Sequence, residues 1–267
     1  MRPSFVETEV LITVMTYPHP SQRHQELVCT AGITRDGEWV RLYPIDYRYR
    51  PNHQQFKKYQ WIRLGLAPRG FGNDDRLESR KPDLDSIQIL AEPLNTQNGW
   101  RDRRAIIDSM PHHTRLELQA LYAKDRTSLG IVKPTEILEL TIEATDKEWK
   151  PEWQAVLQQF NLFNGQPKEL RKLPFKFSYI FRCEDTGDRP HSAMIEDWEL
   201  GVLFLKELER LGNEEAAAQS VKKKYFDEVC AKTKDTRFFM GTVFPYNTWV
   251  VIGVFWPPII QQSSLFD

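Results

Sequence analysis

The stretch CEDTGDRPHSAMIEDWE, residues 183–199, holds a thiol, an imidazole and several carboxylates close together. Cys183 and His191 are both good zinc ligands, but a closed structural site needs four, and no Cys-x-x-Cys or His pair stands nearby to supply the rest. The expectation is a buried thiol and a loop histidine, with no metal. A different chemistry would use His191 with Asp197 and Glu199, either for proton transfer or to hold magnesium for phosphoryl transfer. Asp197 and Glu199 are two apart, so within a helix they point to different faces. Their spacing suits a helix N-terminus, where acids complement the dipole.

A second concentration of charge is FGNDDRLESRKPD, where Asp74, Asp75, Glu78 and Asp83 alternate with Arg76, Arg80 and Lys81. Here Asp74, Asp75 and Glu78 are candidate carboxylates for a metal-dependent nucleic-acid-processing reaction. Together with WRDRR, this stretch offers Arg76, Arg80, Arg101 and Arg104 to phosphates, with Trp61, Phe71 and Trp100 to stack on unpaired bases. The competing expectation is that the arginines and acids pair with one another on a solvated face. No G-x-G-x-x-G, Walker lysine, G-x-S-x-G or H-E-x-x-H occurs, which removes the common nucleotide, hydrolase and metalloprotease readings. His112 and His113 are adjacent and diverge on a helix. Nothing in the pattern indicates a cofactor.

These residues need a frame. The chain has 267 residues, 40% hydrophobic and 12% aromatic with eight tryptophans, enough for an ordered core without staples. Net charge is -1, so no global field advertises nucleic acid or an anionic membrane. The three cysteines, Cys29, Cys183 and Cys230, are odd in number and far apart, which suits a reducing compartment. With no apolar run long enough to span a bilayer, the expected location is the cytoplasm.

Strands are expected at VLITVMTYPHP and on both sides of Asp36-Gly37, a pairing that favours a tight hairpin. Two short helices flank Pro111, a strand follows at TEILELTIEAT, a short helix at KPEWQAVLQQFNLF, and an alternating strand at FKFSYIFRCED. The apolar stripe from Met194 to Leu211 predicts a helix stopped by Gly212, followed by a second over EEAAAQSVKKKYFDEVCAKT. Two strands, TRFFMGTVF and WVVIGVFW, close the order. The pattern predicts an α+β protein with mostly antiparallel sheets and two long C-terminal helices between strands. Residues 1–165 read as an N-terminal unit containing the hairpin and residues 174–258 as a β-α-α-β-β unit, either separate from the first or continuous with it. Residues 259–267 read as a flexible tail.

The blocks CTAGITRDGEWVRLYP, HSAMIEDWELG and FFMGTVFPYNTWVVIGVFWPP resemble a family of bacterial proteins of unassigned function. Gln262-Ser263-Ser264-Leu265-Phe266 resembles the peptide by which bacterial polymerases and mismatch-repair factors dock on the replicative sliding clamp. Gln262, Ser264, Leu265 and Phe266 match that motif, and Ser263 stands where leucine is usual. Leu265 and Phe266 supply adjacent apolar side chains for a preformed pocket, Gln262 an amide for a polar subsite, and Pro257-Pro258 a stop to the preceding strand. The resemblance implies a cytoplasmic DNA-metabolism protein in replication, repair or defence, with the sliding clamp as partner and DNA within reach. The other readings are a metal-dependent nucleic-acid-processing enzyme and a small-molecule or protein-interaction module whose tail is incidental.

Overall fold

The computed structural model describes residues 4–21, 25–71, 74–163, 169–185, 187, 189–243 and 247–260. In β1 (Val6–Met15) every residue from Val10 to Met15 is buried, as expected of a β-branched run at the centre of a sheet. A small hairpin, β2 (His19–Ser21) with β3 (Gln25–Leu27), precedes β4 (Thr30–Thr34) and β5 (Trp39–Leu42), which pair antiparallel. Gly37 lies in the turn between them at φ +79°, where a side chain would be strained. With β6 (Gln60–Leu66), β7 (Ser79–Arg80) and β8 (Pro82–Ile89) they form a six-stranded sheet in the order β7-β5-β4-β1-β6-β8.

The chain then enters α1 (Gln97–Ile107), whose residues 98–100 all have positive φ, so the regular helix starts at Arg101. After β9 (His112–His113), Thr114 and Glu117 close a capping box at the start of α2 (Arg115–Asp125). Next come β10 (Leu129–Val132), β11 (Glu136–Ala144), α3 (Pro151–Phe163), β12 (Phe175–Arg182) and β13 (His191–Met194). The strands β11, β12 and β13 form one antiparallel sheet, which spans the connection around residues 164–173.

Two helices follow, α4 (Trp198–Leu211) and α5 (Glu214–Lys222), the latter continued by a π-helical turn over Lys223–Glu228. The stripe from Met194 is thus not helical throughout: Met194 ends β13 and Ile195 bridges to Val251. The reason is Asp197, whose extended backbone (φ -69°, ψ 129°) and side chain cap α4 through Glu199 N at 2.9 Å. The last strands, β14 (Arg237–Val243) and β15 (Thr248–Phe255), join β10 and β9 in a four-stranded sheet ordered β15-β14-β10-β9.

The protein is α+β with mostly antiparallel pairing. Its core has three clusters. The middle one packs Val14, Ile33, Trp100 and Ile107 against Ile131, Phe239, Val250 and Phe255, uniting the six-stranded and four-stranded sheets. A larger cluster, centred on Tyr179, Phe181, Phe204 and Phe238, lies between the C-terminal sheets and helices α4 and α5. Among the described residues no helix is long and apolar enough to cross a membrane.

Candidate functional site

The carboxylates and arginines around residue 76 knit the fold together. Asp74 accepts from Arg76 Nε at 2.8 Å and Nη2 at 2.6 Å, and from Ser79 Oγ at 2.7 Å. Arg76 donates onward to the Thr242 carbonyl at 2.9 Å. Glu78 is buried and accepts from Ser128 N at 3.0 Å and Ser128 Oγ at 2.7 Å, while Arg41 donates to the Ser128 carbonyl at 3.0 Å. Burial, helped by the neighbouring Arg76 charge, pushes the Arg41 guanidinium down to about 10. Asp75 pairs at the surface with Arg126 at 2.9 Å.

Of the other arginines, Arg80 donates to the carbonyls of Leu77 and Ser79, and Arg104 to those of Gly99 and Pro258. Arg101 is exposed beside Asp102. Trp61 and Trp100 are not stacking platforms, because both rings are buried: Arg35 covers Trp61 at 3.5 Å, and Trp100 packs edge-on against Phe255 and Trp256. Phe71 is exposed, with Lys81 5.5 Å from its centroid.

Asp197 and Glu199 do share a cation after all, the ammonium of Lys58, at 2.8 Å and 3.1 Å. The divergence of residues two apart holds inside a helix, whereas Asp197 precedes the first turn in extended backbone. Burial alone would lower the Lys58 ammonium's pKa, but the attraction of Asp197 and then Glu199 outweighs it and holds the group well above its usual range. A cavity of about 180 Å³ beside this pair is lined by Met15, Tyr47, Phe56, Trp198 and Glu199. It is smaller than the ~300–1,000 Å³ usual for small-molecule pockets.

His191 stands apart from that pair. The β12–β13 register sets it opposite Phe181, against whose ring it packs at 5.5 Å, and folds the chain back so that Cys183 and Asp185 come beside it. The Cys183 sulfur, an Asp185 oxygen and a His191 ring nitrogen lie within 4.8 Å of one another. Burial raises the Cys183 thiol, opposed by the Arg115 backbone N–H at the first turn of α2; burial and then the Arg115 charge lower His191. Asp185 was not among the residues singled out from the sequence. The signal that finds it is the strand register, which a linear spacing of charged residues does not display.

The chain leaves β15 through a set of bonds. Asp235 N donates to the Pro257 carbonyl at 2.9 Å, Ile259 N to the Thr233 carbonyl at 2.8 Å, and Arg104 Nη2 to the Pro258 carbonyl at 2.6 Å. Arg104 is held in turn near Asp108 and Asp235, which both pair with Arg237. Ile259 and Ile260 are 51% and 65% exposed. Gln262, Ser264, Leu265 and Phe266 lie outside the described residues.

An α+β fold whose charged residues mostly brace the sheets, with one thiol-imidazole-carboxylate cluster, defines no enzyme class by itself. The chain belongs to the family described as Domain of unknown function (DUF8757), which matches residues 110–267; residues 6–109 match Domain of unknown function (DUF8758). No match was found among curated proteins. Among solved structures, a Replication Protein A heterotrimer bound to ssDNA is similar at TM-score 0.25 and 9% identity, over 97% of this chain and 67% of that one. A likeness at that score carries no argument about fold or function.

Proposed function

We propose that this is a DNA-metabolism protein recruited to the bacterial replicative sliding clamp through Gln262, Ser264, Leu265 and Phe266. The observation that supports the reading is the exit from β15: Pro257, Pro258 and Ile259 are each hydrogen-bonded to the body, and Ile260, two residues before Gln262, is at the surface. A peptide that follows such an anchor starts from a fixed point on the body, so the anchored residues themselves need no further ordering when it binds. Tethering raises the effective concentration of the folded body at DNA, and this suits a chain with net charge -1 that lacks a strong field of its own.

The test is binding of the full chain to immobilised clamp, compared with a chain lacking residues 261–267 and with Leu265→Ala and Phe266→Ala. Deletion abolishes binding. Each alanine weakens it about tenfold or more, as expected for removing a side chain worth ~1.5–3 kcal/mol of burial. Binding that survives the deletion overturns the reading.

A further inference from the structure

Cys183, Asp185 and His191 are the only group of three or more metal-capable side chains brought together among the described residues. They come from one antiparallel return: Cys183 directly follows β12, His191 opens β13, and Asp185 lies in the connection between them. Cys183 is buried, His191 half-buried and Asp185 exposed, so the cluster runs from the core to the solvent. The His191 Nε2 atom is shielded from solvent and makes no hydrogen bond, an omission that is unfavourable for a buried polar atom. Arg115 Nη1 is also shielded with no hydrogen bond, and the Arg115 charge acts on both Cys183 and His191.

We propose that Cys183, Asp185 and His191 bind a zinc-class divalent metal ion, with the fourth coordination position open on the Asp185 side. Thiolate, imidazole and carboxylate are the ligand types zinc takes, and three protein ligands with one open position are the arrangement of a reactive rather than a purely structural site. Exposed Asp185 is free to swing in and complete the set, while Cys183 and His191 are held by the sheet. On binding, the thiol proton leaves to solvent and the sulfur bonds the metal as thiolate; the Arg115 backbone N–H at the start of α2 remains as a donor to that sulfur. The Arg115 charge acts on both Cys183 and His191, so an anion such as hydroxide is the occupant it favours at the open position.

The experiment titrates the full-length, metal-stripped protein with cobalt(II) in reducing buffer and follows the thiolate-to-cobalt charge-transfer and visible bands, then displaces the cobalt with zinc. The expected result is one cobalt per chain, with both bands lost on zinc addition. Cys183→Ser removes the charge-transfer band, and the Cys29→Ser, Cys230→Ser double variant keeps it. Asp185→Asn, an exposed change that leaves circular dichroism unaltered, weakens cobalt binding by about tenfold or more, in the range for disturbed metal sites. A charge-transfer band that persists in Cys183→Ser, or Asp185→Asn binding as tightly as the parent, overturns the assignment, as does the absence of any stoichiometric cobalt complex in the folded protein.

Discussion

Asp197 carries two duties that the sequence presents separately. Its side chain caps α4, and the same carboxylate takes the Lys58 ammonium at 2.8 Å and 2.9 Å, with both side chains almost wholly buried. Replacing it by alanine removes the cap, worth ~1 kcal/mol, and leaves Lys58 with only exposed Glu199. Breaking a buried pair from one side costs ~3–5 kcal/mol. Asparagine retains a capping oxygen and removes only the charge. Urea unfolding should therefore place Asp197→Ala below Asp197→Asn, and Asp197→Asn below the parent; equal stability of the two variants would show that the cap contributes nothing. The capping role was legible, because an acid before an apolar stripe is a local signal. Lys58 was not, since its partner lies 139 residues away and no spacing connects them. The same holds for Glu78, which reads as a loop carboxylate beside arginines yet is buried under Ser128.

At the scale of elements, helix α4 meets β1 and the segment after it through a contact only glycine permits. A Cβ on Gly201 would stand 2.2 Å from the Tyr17 ring, and Tyr17 has no room to yield, being buried with its hydroxyl bonded to the Arg171 carbonyl at 2.8 Å. Gly201→Ala is expected to cost about 1–3 kcal/mol by overpacking, despite alanine's better helix propensity. Trimming the opposing ring should relieve this, so the Tyr17→Leu, Gly201→Ala double variant loses less than the sum of its parts in thermal melts. Additive losses would mean that the clash is relieved elsewhere. The hairpin at Gly37 and the helices α2, α4 and α5 were legible because periodicity and caps act over one or two turns. The strands β7 and β9 were not, since two residues have no period and form only where β5 and β10 offer an edge. Nor was the left-handed turn at residues 98–100, of which only Asn98-Gly99 gives a local hint.

For the molecule as a whole, the two family matches meet between residues 109 and 110, but the core does not divide there. Trp100 and Ile107 lie on one side of that point and share a cluster with Ile131, Phe239 and Phe255 on the other. Polar bonds cross it too: Arg41 donates to Ser128, Ser128 to Glu78 and Arg76 to the Thr242 carbonyl, all buried, and Arg237 donates to the partly exposed Asp108. Residues 6–109 alone would expose one face of the six-stranded sheet and leave Glu78 and Arg41 buried or half-buried without their partner. Residues 110–267 alone would expose Phe239 and Phe255 and leave Arg237 without Asp108. Both losses act on the same interface, so the two portions are expected to unfold together. Tryptophan fluorescence and far-ultraviolet circular dichroism should give one coincident urea transition for the full chain, and each portion expressed alone should lack a cooperative transition or aggregate. Two separated transitions, or a stably folded 110–267 fragment, would show that the shared core is an interface between independent domains.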